Sequence, residues 1–305
     1  MMDIEQASNT RFDGTVAMWF STHYQIDPRE WDTIQELNGP YHPAAGYYRS
    51  DDPQILKRQL REMRRAGVDL IVYDAFASLA LPLTDFTKDR ALAMLVEELA
   101  HQQHEARKLQ LAIYIEKYDS YPSAEEYEAA LTYIRDNLAN REFYFKYQGK
   151  PLVTSYLDEY PEHLDEIEWR NDDFTMRRIR PYQSDVWSYI HPYPQPLRKD
   201  WMVVSPGYDS FMENAYLARM AGDADLAQIR KEASKADRED GAFFERQLLR
   251  ARMGNPEIIF ISGWNDWQYG NHIEPAEEYG YKYVDLAARL LGRQQETSIY
   301  RDEAK

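Results

Sequence analysis

The sequence predicts an α/β fold, a single (β/α)8 barrel of the TIM type, and three observations carry that prediction. Eight short apolar runs recur, segments with apolar positions at helical spacing lie between them, and no linker divides the 305 residues. Alternation of strand and helix implies a parallel sheet. A doubly wound sheet is disfavoured because its Gly-rich first turn, G-x-G-x-x-G, is missing.

The first strand is expected over 15–20. Ile55, Leu56, Gln59, Leu60 and Met63 then recur at helical spacing, and Gly67 supplies a C-cap before a second strand at 68–73. A helix marked by Leu92, Leu95, Val96 and Leu99 precedes the third strand, 109–115. Strands at 152–156, 174–179, 185–190 and 201–204 follow, and the residues from 162 to 206 leave room only for abbreviated connections. The polar stretch 223–240 reads as a solvated insertion before the last strand, 257–261. One domain spans 1–305, with 1–12 and 294–305 as terminal extensions.

A formal charge of −16 disfavours nucleic acid, since phosphate binding needs Lys and Arg in excess on some face. Without cysteine there is no disulfide and no thiolate chemistry. Neither an H-x-x-x-H nor an H-x-H pair occurs, and neither does a P-loop or a G-x-S-x-G elbow, so no metal or cofactor is expected. No run approaches the roughly 18 apolar residues of a membrane span, so no membrane insertion is expected. The first residues do not form a signal peptide. A cytoplasmic protein is expected if Met1 or Met2 is the natural start, and a secreted or periplasmic one if a leader has been removed. Oligomeric state leaves no trace in the residues.

In a barrel the functional groups sit where the strands end. Trp19 and His23 come from the first, Asp74 from the second, Glu116 and Tyr118 from the third, Asp158 and Tyr160 from the fourth, and Tyr182 from the fifth. His191 and Tyr193 follow the sixth, Tyr208 and Asp209 the seventh, and Asn265, Asp266, Trp267, Tyr269, His272 and Glu274 the eighth. Carboxylates ringed by Tyr and Trp suit carbohydrate, because aromatic faces stack on sugars and paired carboxyls cleave glycosidic bonds. Single residues carry bland alternatives: Asp74 and Asp158 as helix N-caps, Trp267 as a wedge into the core.

Six segments, in order, resemble glycoside hydrolase family 99, the endo-acting α-mannosidases and mannanases, together with WbsX-type glycan-biosynthesis proteins. Gly46 to Pro53 is similar to G-x-Y-x-S-x-D-P, Ile115-Glu116-Lys117-Tyr118 to I-E-P-Y, and Tyr144 to Tyr160 to a segment running through Gly-Lys-Pro-Leu to a strand ending in Asp. Ser205 to Asp209 resembles G-P-G-Y-D, Arg238 to Gly241 resembles R-x-N-G, and Asn265 to Pro275 resembles N-E-W-x-E-G-T-x-I-E-P.

The resemblance implies an oligosaccharide or polysaccharide substrate and a retaining reaction. The first Glu of N-E-W-x-E deprotonates the sugar's own 2-hydroxyl, and the second is the general acid. Here those positions are Asp266 and Tyr269, so both differ. Asp266 keeps the carboxylate, one methylene shorter, as in a related family of α-1,3-glucanases. A phenol, with a reference pKa of about 10, is a poorer acid near neutrality than a carboxylic acid tuned toward about 6. Tyr269, a relocated carboxyl such as Asp209 or Glu116, or an easily departing leaving group are the three ways to supply the missing proton. Glu116 matches a pocket carboxylate of the family. Trp19, His23, Asp74, Tyr118, Asp158, Tyr160, His191, Tyr193, Tyr208, Asp209, Arg238, Asn265 and Trp267 are expected to bind substrate. A carbohydrate-binding pseudoenzyme and a WbsX-type transferase are the competing readings.

Overall fold

The computed structural model describes residues 10–22, 24, 29–77, 88–117, 124–156, 171–179, 197–222 and 225–300. Its centre is a curled parallel sheet. The strands are β1 (Thr15–Ser21), β2 (Leu70–Ala77), β3 (Gln110–Lys117), β4 (Lys150–Tyr156), β5 (Thr175–Ile179), β6 (Trp201–Val204) and β7 (Ile258–Ile261). Their spatial order is β5-β4-β3-β2-β1-β7-β6, so the last strand closes back onto the first. This is an α/β fold in which every pair along that order is parallel. The sixth expected strand, 185–190, lies outside the described residues.

The strands alternate faces with period two. Ala17, Trp19, Val72, Ala112, Tyr114, Trp201, Val203 and Phe260 form the cluster inside the curl. Val16, Met18, Ile71, Ile113, Val153, Val204, Ile259 and Ile261 face outward into the larger core beneath the helices. Burial on both faces explains why these strands read as nearly continuous apolar runs.

Among the helices α1 (Arg29–Glu36), α2 (Pro53–Ala66), α3 (Arg90–Ala100), α4 (Ala124–Asn137), α5 (Phe211–Ala221), α6 (Leu226–Glu232), α7 (Ala242–Gly254) and α8 (Lys282–Leu290), α2 is set by local chemistry. Asp52 caps it by accepting the Gln54 N–H, Pro53 stands at its first position, and Gly67 ends it at φ 85°. The second strand starts later than predicted, at Leu70, because the Val68 N–H still bonds Met63 O in the cap. The expected insertion contains α6, which buries none of its residues. It also contains something the sequence does not announce: Lys235–Ala236 pairs antiparallel with Tyr208–Asp209.

At the N-terminal ends of the strands, Arg293 ties the chain together. Its guanidinium donates to Gly67 O, Phe12 O and Gly14 O and pairs with Asp69. Thr297 and Tyr300 are buried against the same end. No helix among the described residues is long and apolar enough to cross a membrane.

Candidate active site

β1 and β2 pair so that Ser21 stands beside Asp74, on the inward face and at the C-terminal end of the sheet. After β7 the chain folds over this end. Trp264 N donates to Trp19 O at 2.7 Å, and Asn265 clamps β1 from both sides, its Oδ1 accepting Ser21 N–H at 3.0 Å and its Nδ2 donating to Ser21 O at 2.7 Å. Asn265 therefore acts as a backbone splint, which places the next residue, Asp266, over the end of β1.

Ser21 Oγ accepts Trp19 Nε1–H at 3.1 Å and lies 3.1 Å from Asp74 Oδ2 and 3.2 Å from Asp266 Oδ1. The two carboxyl groups are thus joined through one hydroxyl. Asp74 is not a helix N-cap, since β2 continues past it to Ala77. Room for Asp266 comes from Gly263: a Cβ there would lie 2.9 Å from Asp266 Oδ2.

Behind this layer sits a buried carboxyl, Glu274. It accepts Tyr48 Oη–H at 2.7 Å, Gln59 Nε2–H at 2.8 Å and Trp267 Nε1–H at 2.9 Å. Burial, the dominant cause, raises its pKa to about 7 against the lowering effect of these donors. Burial and then the Glu274 charge likewise push the Tyr48 phenol well up. Trp267 also stacks on His272, centroids 3.7 Å apart, and is buried among Tyr24, Trp31 and Tyr48. Burial first, and the Arg238 charge second, hold the His272 imidazole well below its ordinary pKa, in the neutral form. Arg238 donates to Gly270 O at 3.0 Å and His272 O at 2.7 Å, with its guanidinium over the Tyr41 and Tyr283 rings. Trp267 and Arg238 thus hold the loop from behind.

Tyr269 stacks on Tyr208, centroids 5.7 Å apart and planes 12° from parallel. Asp209 turns away from this group to pair with Arg230 at 2.9 Å and accept Phe211 N–H at 3.0 Å. A cavity of about 410 Å³ opens beside the loop, lined by Tyr41, Tyr208, Asp209, Arg238, Trp267 and Gln268 among others. A larger one, about 620 Å³, lies at the opposite end of the sheet beside Asp69 and Arg293, far from the strand ends that carry chemistry in such folds. Among the described residues no cluster of His, Asp and Glu could hold a metal ion.

Trp19, Asp74, Asn265, Asp266 and Trp267 therefore come together around Ser21 and Glu274, while Tyr208, Tyr269 and Arg238 flank them. Glu116 lies on β3 but its side chain is outside the described residues, as are His23, Tyr118, Asp158, Tyr160, Tyr182, His191 and Tyr193. Sequence reasoning did not single out Ser21, Tyr48, Gln59 or Gly263. For Ser21 the available signal was its place two residues beyond Trp19 on the inward register.

Against known proteins, the sequence profile of glycosyl hydrolase family 99 matches residues 7–175, more than half of the chain. The chain belongs to this family. Glycoprotein endo-alpha-1,2-mannosidase-like proteins of Mus musculus and Homo sapiens are each 22% identical over 276 residues, which cover 79% of this chain. The chain spans 59% of the mouse relative's length and 58% of the human one's. The solved structure of a GH99 endo-alpha-mannosidase from Bacteroides thetaiotaomicron superposes with a TM-score of 0.64 at 16% identity, covering 95% of this chain and 98% of that one. The fold of that structure is thus shared over most of the chain.

Proposed function

We propose that this family 99 member is a glycoside hydrolase-like enzyme that cleaves an α-linked, mannose-containing glycan with retention, using Asp266 as its reacting carboxylate. The observation that carries the reading is the placement of Asp266: buried, splinted by Asn265 and held at Ser21 over the inner end of β1. Family membership and the endo-mannosidase-like relatives support mannose as the sugar. In this reading the sheet belongs to a closed (β/α)8 barrel. Asp266 removes the proton of the substrate's 2-hydroxyl, the freed oxygen bonds to C1 as the glycosidic bond breaks, and water reopens the anhydro ring with net retention. The departing oxygen takes its proton from Tyr269, which stands at the acid position. Asp209 is a poor substitute, committed as it is to Arg230 and Phe211.

Asp266→Asn tests the assignment. It should abolish oligosaccharide release from α-mannan while circular dichroism and Tm stay close to those of the parent protein. Release undiminished by the substitution would remove Asp266 from the mechanism. A second reading, a carbohydrate-binding protein without turnover, is favoured by the phenol at position 269. Calorimetric binding of the same glycan with no product over days would select it.

A further inference from the structure

One oxygen, Ser21 Oγ, meets three groups: the Trp19 indole N–H at 3.1 Å, Asp74 Oδ2 at 3.1 Å and Asp266 Oδ1 at 3.2 Å. A hydroxyl offers one proton and two lone pairs. The indole N–H occupies one lone pair, and the hydroxyl proton serves one carboxylate. The second carboxyl faces the remaining lone pair, and that contact is a hydrogen bond only if this carboxyl brings a proton of its own. With both carboxyls ionised, a carboxylate oxygen and a hydroxyl lone pair would oppose each other where Ser21, Asp74 and Asp266 are 1%, 4% and 3% exposed.

We infer that Asp74, Ser21 and Asp266 form a serine-bridged carboxyl pair that holds one proton between its two carboxyls, carried on Asp74 so that Ser21 donates to Asp266. Asp74 is then a positioning residue. Its proton lets the hydroxyl be given wholly to Asp266, which stays ionised and aimed, and the pair titrates as a unit. Placement of the proton on Asp74 rests on the proposed function, in which Asp266 is the base; the sharing itself does not.

The titratable groups near the pair bear on any titration. Among the described residues they are Tyr73 of β2, on the opposite face of the strand but within reach of the Asp74 charge, with its partner Asp89; Tyr114 beside Trp19; Tyr48 against Asn265; His272 against the Asp266 backbone; and Glu274 behind Trp267. Glu274 also stays protonated toward neutrality, so its signal must be removed first.

The test is infrared spectroscopy of the full-length protein across pH, in a Glu274→Gln background, reading the C=O stretch of protonated buried carboxyls. One band should persist through neutral pH and be lost in both Asp74→Asn and Asp266→Asn, because either change leaves a single carboxylate to take the Ser21 proton. Absence of the band, or its survival in either variant, overturns the shared proton. Should an Asn variant fail to fold, carbon NMR of the Asp-labelled parent decides. Two buried carboxyls titrating in well separated steps support the pair, and overlapping steps overturn it. None of these readouts needs turnover, so a shared band in a protein without glycosidase activity would sink the proposed function and leave the pair standing. Where cleavage is measured, Asp74→Asn should lower kcat with KM little changed, leave the acid limb of the pH profile within about half a unit, because Asp266 already ionises beside a neutral neighbour, and move the alkaline limb up, because no shared proton is left to lose. An acid limb lowered by about one unit or more, or an unmoved alkaline limb, overturns the assignment of the proton to Asp74.

Discussion

Tyr269 lies flat against Tyr208, planes 12° apart, so the ring of the loop after β7 is held by the short ribbon that Tyr208–Asp209 makes with Lys235–Ala236. The insertion before β7 thus packs against the loop that follows β7. Its ribbon supplies the wall on which the loop's phenol rests, and stacking stabilises that contact.

Tyr269→Phe keeps the stack and removes only the hydroxyl. If that hydroxyl protonates the leaving group, kcat/KM on a natural glycan should fall by about 10²–10⁴-fold, while an activated aryl glycoside, whose leaving group needs no proton, should be nearly unaffected. Steady-state kinetics on the two substrates decide. Equal losses on both would place the proton source elsewhere.

Gly263→Ala puts a methyl 2.9 Å from Asp266 Oδ2 and 3.3 Å from its Cγ. The carboxylate is the end of a short side chain and will swing away from Ser21, so the cost falls on geometry. We expect kcat to drop by up to about 10²-fold, the scale of an ångström-level misplacement, with Tm little changed. A large loss of Tm with kcat intact would count against this role for the glycine.

How much of this was legible in the sequence follows from where each residue is buried. β1 and β7 stand out because both faces are apolar, and Gly67 announces the end of α2 through its left-handed cap. Asp74 was ambiguous between cap and site until the register put it beside Ser21. The ribbon Tyr208–Asp209 with Lys235–Ala236 was illegible because two-residue strands show no periodicity. Ser21 went unnoticed because a serine on a strand carries no chemical signature until two carboxyls from distant segments converge on it. Glu274 stood only as one of the groups after the last strand, because two of its three donors, Tyr48 and Gln59, lie more than 200 positions away in the chain.

Glu274 should make stability depend on pH. Its folded-state pKa of about 7 exceeds the ordinary 4.5, so the stability it contributes is complete below about 4.5 and is lost as pH rises through 7. The loss is of the order of 3 kcal/mol by linkage. Buried His272 acts in the opposite sense, its contribution being lost as pH falls below its ordinary 6.5. The difference between the parent and Glu274→Gln isolates the carboxyl: denaturant unfolding between pH 4.5 and 7 should show the variant flatter than the parent. Parallel curves would refute the raised pKa.

Arg293→Met tests the separation of stability from function along the sheet axis. Arg293 is 2% exposed and its guanidinium serves Gly67 O, Phe12 O, Gly14 O and Asp69 at the N-terminal end, opposite Ser21 and Asp74. Methionine fills much of the volume but donates nothing, leaving three buried carbonyls short of a donor and Asp69 dependent on Arg107 alone among its arginine partners. Removing one member of such a buried pair costs about 3 kcal/mol or more, which lowers Tm by roughly 6–12 °C for a chain of this class. KM and kcat measured well below the new Tm should stay within about twofold of the parent, because the loss lies at the structural end of the sheet. A variant with unchanged Tm would show that the carbonyls find other donors, and one with altered KM would tie the two ends of the sheet together.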